Sequence, residues 1–156
     1  MNRMTSLLVF LAVVLVTVFI SSQFVGGQWY QSMHQPDWQP PAIVMTVVWA
    51  VLYVLMAVSA WLVWENRRGT AMASLFWWSL QLLLGIVWSW FYFGLERIGW
   101  AMAVMTLWIV ASLIVVNVFR YTKTLASVLM LPVLAWLVFS WILNFTQWSL
   151  NGGGFG

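Results

Sequence analysis

Residues 42–64 read AIVMTVVWAVLYVLMAVSAWLVW, without one charged side chain. A helix needs about 20 apolar residues to cross the roughly 30 Å hydrocarbon layer of a bilayer, and this run is long enough. Strict alternation of apolar and polar residues is absent, so a helix is preferred over a strand. Lipid accepts only spanning helices or closed barrels, because every backbone N–H and C=O must be satisfied internally. Outward from this run, four more of similar length follow the same pattern: 5–25, 71–93, 100–119 and 125–148. The reading is an all-α membrane protein, a five-transmembrane-helix bundle, with residues 1–156 as a single domain. The segment 26–41 forms a loop between the first two helices.

Composition agrees. Of 156 residues, 64% are hydrophobic and 6% are charged, against about 25% charged in soluble domains. All nine charged side chains fall in gaps or at run edges: Arg3, Asp37, Glu65, Arg67, Arg68, Glu96, Arg97, Arg120 and Lys123. Each avoids the roughly 2.5–3.5 kcal/mol penalty of a charge at a helix centre. Arg3, Arg67, Arg68, Arg120 and Lys123 share one side of the expected topology, and only Arg97 is on the other. Positive-inside bias then expects a cytoplasmic N-terminus and an outer C-terminus in a plasma membrane, with residues 26–41 outside. In a two-membrane bacterium the outer membrane is the alternative. Arg3, the first apolar run and Ser21–Ser22 also resemble a signal peptide. The continuation of that run to Val25 favours a retained helix.

The basic residues form no stripe, so nucleic acid is not an expected partner. With no cysteine, thiolate chemistry and disulfides are excluded. Intramembrane Asp, Glu, His, Lys and Arg usually mark proton relays and ion carriers, and the runs hold none. His34 and Asp37 alone make no metal site, and acid–base catalysis has no expected residues beyond span tyrosines. The expected metal content is none.

The surplus is tryptophan, 14 residues in all. Trp61, Trp64, Trp77, Trp78, Trp88, Trp90, Trp100 and Trp148 lie near run ends, where indoles anchor at headgroups. Trp49, Trp108, Trp136 and Trp141 lie deeper, where an indole N–H wants a partner that lipid cannot supply. Helical spacing places Trp49, Tyr53, Met56 and Ala60 on one face of the second span. The same steps join Gln81, Gly85, Trp88 and Tyr92 in the third. In the fifth they join Trp136, Ser140, Leu143 or Asn144, and Gln147. Such stripes serve ordinary packing or wall an aromatic pocket; three together favour the pocket. Gly85 and Ser89 form a small-xxx-small pair that can mark a dimer face, or else Gly85 faces the pocket. Pro132 predicts a kink in the fifth span.

The loop WYQSMHQPDWQPP, residues 29–41, holds Pro36, Pro40 and Pro41 with Trp29, Tyr30 and Trp38. Proline fixes its own backbone and restricts the residue before it. A stiff, partly apolar lid over the bundle mouth is expected, with a segment lying on headgroups as the alternative.

This loop, together with VVWAVLYVLMAVSAW, WSWFYFG and LPVLAWLVFSWILNFTQWSLN, resembles the TspO translocator family, also called tryptophan-rich sensory proteins or peripheral-type benzodiazepine receptors. The likeness runs nearly end to end. It implies a five-helix bundle, a homodimer, and a pocket beneath the lid that binds porphyrins such as protoporphyrin IX and haem or other hydrophobic small molecules. A porphyrin or haem would be a ligand, not an obligatory cofactor. The resemblance places Tyr30, Pro40, Trp49, Trp88, Ser89, Phe91, Trp136 and Ser140 at the ligand. Spacing and lid position add Trp38, Tyr53, Gly85 and Asn144. The expected role is a tetrapyrrole-binding sensor or carrier, with His34 or Arg97 near the porphyrin carboxylates. The alternatives are light-dependent porphyrin degradation, with Trp49 or Trp136 as the photochemical residue and no other catalytic group, and a structural subunit acting through a protein partner. The sequence departs from the family pattern at Gly85, where an asparagine is common, at Val133, where tyrosine is common, and at Gln35, where lysine is common. Without a basic residue after Phe145 and Gln147, sterol binding is not expected.

Overall fold

The computed structural model describes residues 2–24, 26–66 and 71–154. Val25, Arg67 and Arg68, used above, lie outside them. Five long helices carry the fold: α1 (Arg3–Ser21), α3 (Ala42–Glu65), α4 (Ala71–Ser89), α5 (Ile98–Thr122) and α6 (Thr124–Leu150). A short helix, α2 (Gly27–Ser32), lies within the lid, and α4 continues through a π turn at Trp90–Gly94. No strand occurs among the described residues. All five long helices are apolar and long enough to span a membrane, counting α4 with its π turn. Their outer faces carry Leu15, Phe19, Ile43 and Phe76, each 64–69% exposed, which only lipid would solvate favourably. The protein is a multi-pass integral membrane protein.

The helix ends follow polar chemistry more than apolar content. Asn2 caps α1 by accepting from Thr5 N at 2.7 Å. The first helix stops at Ser21, short of the expected Val25. Ser22 Oγ and Gln23 Nε2 both donate to Phe19 O, at 2.7 and 3.0 Å, and so satisfy a carbonyl the helix end leaves open. At its far end α5 runs past the apolar stretch to Thr122, where Arg120 sits in the last turn. A basic residue there suits the negative end of the helix dipole. The lid is not all loop, since α2 occupies its first part. Pro132 lies on the exposed side of an unbroken α6, not at the bundle interior.

Small residues let the helices close. Ala57, Ser59 and Ala60 of α3 are fully buried, and Ser59 Oγ donates to Ala126 O of α6 at 2.7 Å. Met56, Val63, Val115, Phe119, Met130, Val133 and Leu137 fill the centre around them. α5 and α6 run antiparallel, joined by Ser127 Oγ to Val116 O at 2.7 Å and Trp141 Nε1 to Thr106 Oγ1 at 2.9 Å. Trp78 departs from the interfacial belt expected of it. It is 2% exposed, and its Nε1 donates to Met56 O at 3.0 Å. Position near a run end does not tell which side of the helix faces inward. At the end opposite the lid, Glu65 of α3 accepts from Ser6 Oγ at 2.7 Å and pairs with Arg3 Nε at 3.3 Å.

Candidate functional site

Members of each expected stripe meet at the lid end: Trp49, then Trp88 and Tyr92, then Ser140, Leu143, Asn144 and Gln147. Tyr30 of α2 packs on Tyr92 and Phe93, with ring centroids 6.3 and 5.6 Å apart. Gly26 permits this approach: a methyl group there would sit 2.6 Å from Tyr30 Cβ. Trp29 meets the edge of Tyr92 at 6.0 Å, and Tyr92 stacks on Trp88 at 5.0 Å. The π turn shifts the register after Ser89. Leu95 N reaches Trp90 O at 2.8 Å, and Tyr92 is turned inward at 2% exposure. Such single π turns recur at functional sites.

Glutamine and asparagine side chains tie the lid down. Gln147 of α6 accepts from Tyr92 OH at 2.6 Å and donates through Nε2 toward Gln35 Oε1 at 2.7 Å and Gln39 Oε1 at 2.8 Å. Gln39 Nε2 in turn donates to Tyr30 OH at 3.2 Å. One turn further along α6, Asn151 clasps the backbone of His34. It accepts from His34 N and donates to His34 O, both at 2.9 Å. Asn144 accepts from Trp88 Nε1 at 3.1 Å and donates to Ile98 O at 3.3 Å.

Beneath this cover lies a cavity of about 60 Å³. Its walls come from the lid (Tyr30), from α3 (Met45, Trp49), and from α4 and the π turn (Trp88, Tyr92, Phe93). The α6 wall adds Ser140, Leu143, Asn144 and Gln147. Ser140 Oγ is buried with no hydrogen-bond partner among the described residues, as are Trp108 Nε1 and Trp136 Nε1. A buried hydroxyl facing a cavity without a partner is a place for a ligand's polar group.

Of the residues expected at the ligand, Tyr30, Trp49, Trp88, Ser140 and Asn144 meet at this cavity. The others do not line it. Tyr53 backs Trp49 at 5.8 Å. Trp136 packs on Phe139 at 4.8 Å, and Trp38, half exposed, meets Phe139 edge-on at 5.9 Å. Phe91 lies against Trp100 at 6.4 Å, Ser89 is buried, and Pro40 is partly buried in the lid. His34 and Arg97 are exposed at the lid end. The residues expected at the ligand lacked Met45, Tyr92, Phe93, Leu143 and Gln147, although helical spacing puts Tyr92, Leu143 and Gln147 on the stripes. A methionine one turn before Trp49 could have been found on the same face; Phe93 could not, because the π turn breaks the 3.6-residue spacing.

Gly85 is covered by Trp108 of α5. A methyl group on Gly85 would lie 2.8 Å from Trp108 Cη2 and 2.9 Å from Cζ2. The same indole stacks on Trp49, at 5.6 Å and 19° between planes. Gly85 and Ser89 are therefore packed within the chain and present no open small-residue face.

Residues 6–149 match the TspO/MBR family. The chain belongs to that family. It is 34% identical to the translocator protein of Homo sapiens over 141 residues, 86% of this chain and 83% of that one. With the tryptophan-rich protein TspO of Archaeoglobus fulgidus it shares 30% over 155 residues, 97% of each. With the tryptophan-rich sensory protein of Cereibacter sphaeroides it shares 33% over 125 residues, 80% of this chain and 77% of that one. The TspO/MBR match covers the lid and all but the first residues of α1 and the last of α6, so the cavity lies within the shared region.

Proposed function

We propose that this protein is a membrane sensor or carrier that binds a tetrapyrrole between the lid and the α3–α4–α6 walls. The observation that carries the reading is the convergence of Tyr30, Trp49, Trp88 and Tyr92 on one uncharged cavity whose wall also offers the unpartnered Ser140 hydroxyl. Planar macrocycles stack on aromatic faces, each pair contributing about 0.5–1.5 kcal/mol beyond area burial. The names of the relatives, translocator and sensory protein, support the same role. Ligand pockets are typically about 300–1,000 Å³, whereas this cavity is about 60 Å³. Binding therefore requires the lid to lift. A homodimer, as the family resemblance implies, is compatible with the apolar outer faces.

Protoporphyrin titrated in darkness is expected to quench tryptophan fluorescence saturably. Trp49→Ala should weaken that binding by about tenfold or more, since losing a buried indole stack removes 1.4 kcal/mol or more. Unchanged binding in Trp49→Ala would remove the cavity as the site. Light-dependent breakdown is the second reading. It is favoured at Trp49 by the ring array that continues from it to Trp108 and Tyr53. An excited porphyrin taking an electron from Trp49 would become a radical anion and leave an indole cation radical beside these rings, with dissolved dioxygen as the oxidant that then opens the pigment. Illumination of the same titration should then change the pigment spectrum faster than for free pigment, and Trp49→Ala should abolish the difference.

We place the lid on the outer face, following the basic bias of the opposite loops. The absence of native cysteine makes the test direct. Gln31→Cys, on the exposed side of α2, is expected to react with an impermeant maleimide applied outside intact cells. Labelling only after lysis would reverse the orientation.

A further inference from the structure

A second cavity, of about 420 Å³, lies at the lid end outside the aromatic one. It is bounded by Trp29, Ser32 and Met33 of the lid, by Glu96 in the α4–α5 turn, and by Trp148 and Asn151 near the end of α6. The C-terminal tail closes one side. Gly152 and Gly153 take left-handed φ values of 95° and 62°, which only glycine adopts freely. The chain thereby doubles back, Gly153 N donates to Trp148 O at 2.9 Å, and Trp148 Nε1 donates to Gly154 O at 2.9 Å. The second of these bonds ties the Trp148 ring to the tail at the cavity wall.

Glu96 supplies an independent sign. Among the described residues it is the one non-glycine with a left-handed φ, 58°. The turn around it is fixed by Leu95 N to Trp90 O at 2.8 Å and Arg97 N to Phe91 O at 2.9 Å. Glycine would fit this backbone without strain. A glutamate held there instead places a carboxylate at the cavity, and strained backbone concentrates at functional sites. Among the described residues Glu96 is the only formally charged one in the lining; Arg97 follows it in sequence but does not line the space.

We propose that this cavity binds an organic ammonium group, between the indoles of Trp29 and Trp148 with Glu96 as its counter-ion. Indole faces attract cations, and quaternary ammonium groups are commonly held in aromatic surroundings. An anion would meet the Glu96 carboxylate. The ammonium comes either from a zwitterionic phospholipid headgroup at the membrane surface or from a free amine. The site is separate from the tetrapyrrole reading and does not depend on it.

The test uses the full chain labelled with 5-fluorotryptophan, with the Trp29 and Trp148 fluorine resonances assigned by Trp→Phe substitution. In maltoside detergent, choline is expected to shift those two resonances saturably, with a dissociation constant on the order of 1 mM, while sodium chloride does not. Nanodiscs of phosphatidylcholine should shift them relative to phosphatidylglycerol discs if the source is a headgroup. Saturation by choline with no difference between discs assigns the site to a free amine. Glu96→Gln should weaken choline binding about fivefold. Glu96→Gly should weaken binding at least as much while raising Tm by about 2–4 °C as backbone strain is relieved, so the weakening is not unfolding. No shift with either choline or phosphatidylcholine overturns the proposal. So does undiminished binding in Glu96→Gln or Glu96→Gly.

Discussion

Gly85→Asn is expected to destabilise the protein by about 1–3 kcal/mol, the usual range for overpacking a filled core. The cause is the Trp108 ring, whose Cη2 and Cζ2 would lie 2.8 and 2.9 Å from any Cβ at position 85. Trp108 is 1% exposed and stacked on Trp49, so it has no open side into which to move. Asparagine is a slightly better helix former than glycine, by a few tenths of a kcal/mol, too little to offset the clash. Its amide also needs partners, and leaving it without them adds about 1–3 kcal/mol. Trp108→Val makes the room. The double variant Gly85→Asn/Trp108→Val should be more stable than the sum of the single changes by about 0.5–3 kcal/mol, measured as thermal or denaturant unfolding in detergent. Strict additivity would show that the two positions are not in contact.

That pair also explains a departure visible in the sequence. Where the family resemblance leads one to expect an amide, this chain has glycine, and the indole of Trp108 takes the space. The exchange removes a hydrogen-bonding group from the neighbourhood of Trp49 and puts a rigid ring beside it. The departure at Gln35 has a comparable explanation. Its amide is engaged by Gln147 Nε2 at 2.7 Å, within the network that also joins Gln39, Tyr92 and Tyr30. Val133 is fully buried in the core; nothing in the structure explains valine over tyrosine there.

The five spans were legible because lipid leaves few alternatives: long apolar runs with charges only at their edges must be helices. The wall residues Trp49, Trp88, Ser140 and Asn144 were legible because helical spacing gathers them on single faces. Three features were not. Trp78 sits near a run end yet faces the core, since distance along a helix does not fix rotation about its axis. Phe93 owes its direction to a π turn, which no periodicity reports, whereas Tyr92 already lay on the expected stripe with Trp88. The filling of Gly85 by Trp108 is a contact between helices, and one sequence contains no record of which rings meet.

Asn151→Ala is expected to loosen the lid and tighten porphyrin binding by about three- to tenfold. A tetrapyrrole cannot enter about 60 Å³, so the bonds that hold the lid closed oppose its entry. When only a fraction of molecules is open, the apparent dissociation constant rises by the inverse of that fraction. The Asn151 clasp on the His34 backbone contributes two bonds at 2.9 Å. Each is worth about 0.5–1.5 kcal/mol net when buried, and these are exposed, so the pair together is assigned about 0.7–1.4 kcal/mol. Asn151 does not line the aromatic cavity, so its removal leaves the stacking surfaces intact. Amide hydrogen exchange over residues 33–41 should accelerate in the same variant, because local opening sets that rate. Faster exchange with weaker porphyrin binding would mean that the clasp re-forms over the bound ligand and holds it. Unchanged exchange would mean that Gln147 alone, through Gln35 and Gln39, keeps the lid shut.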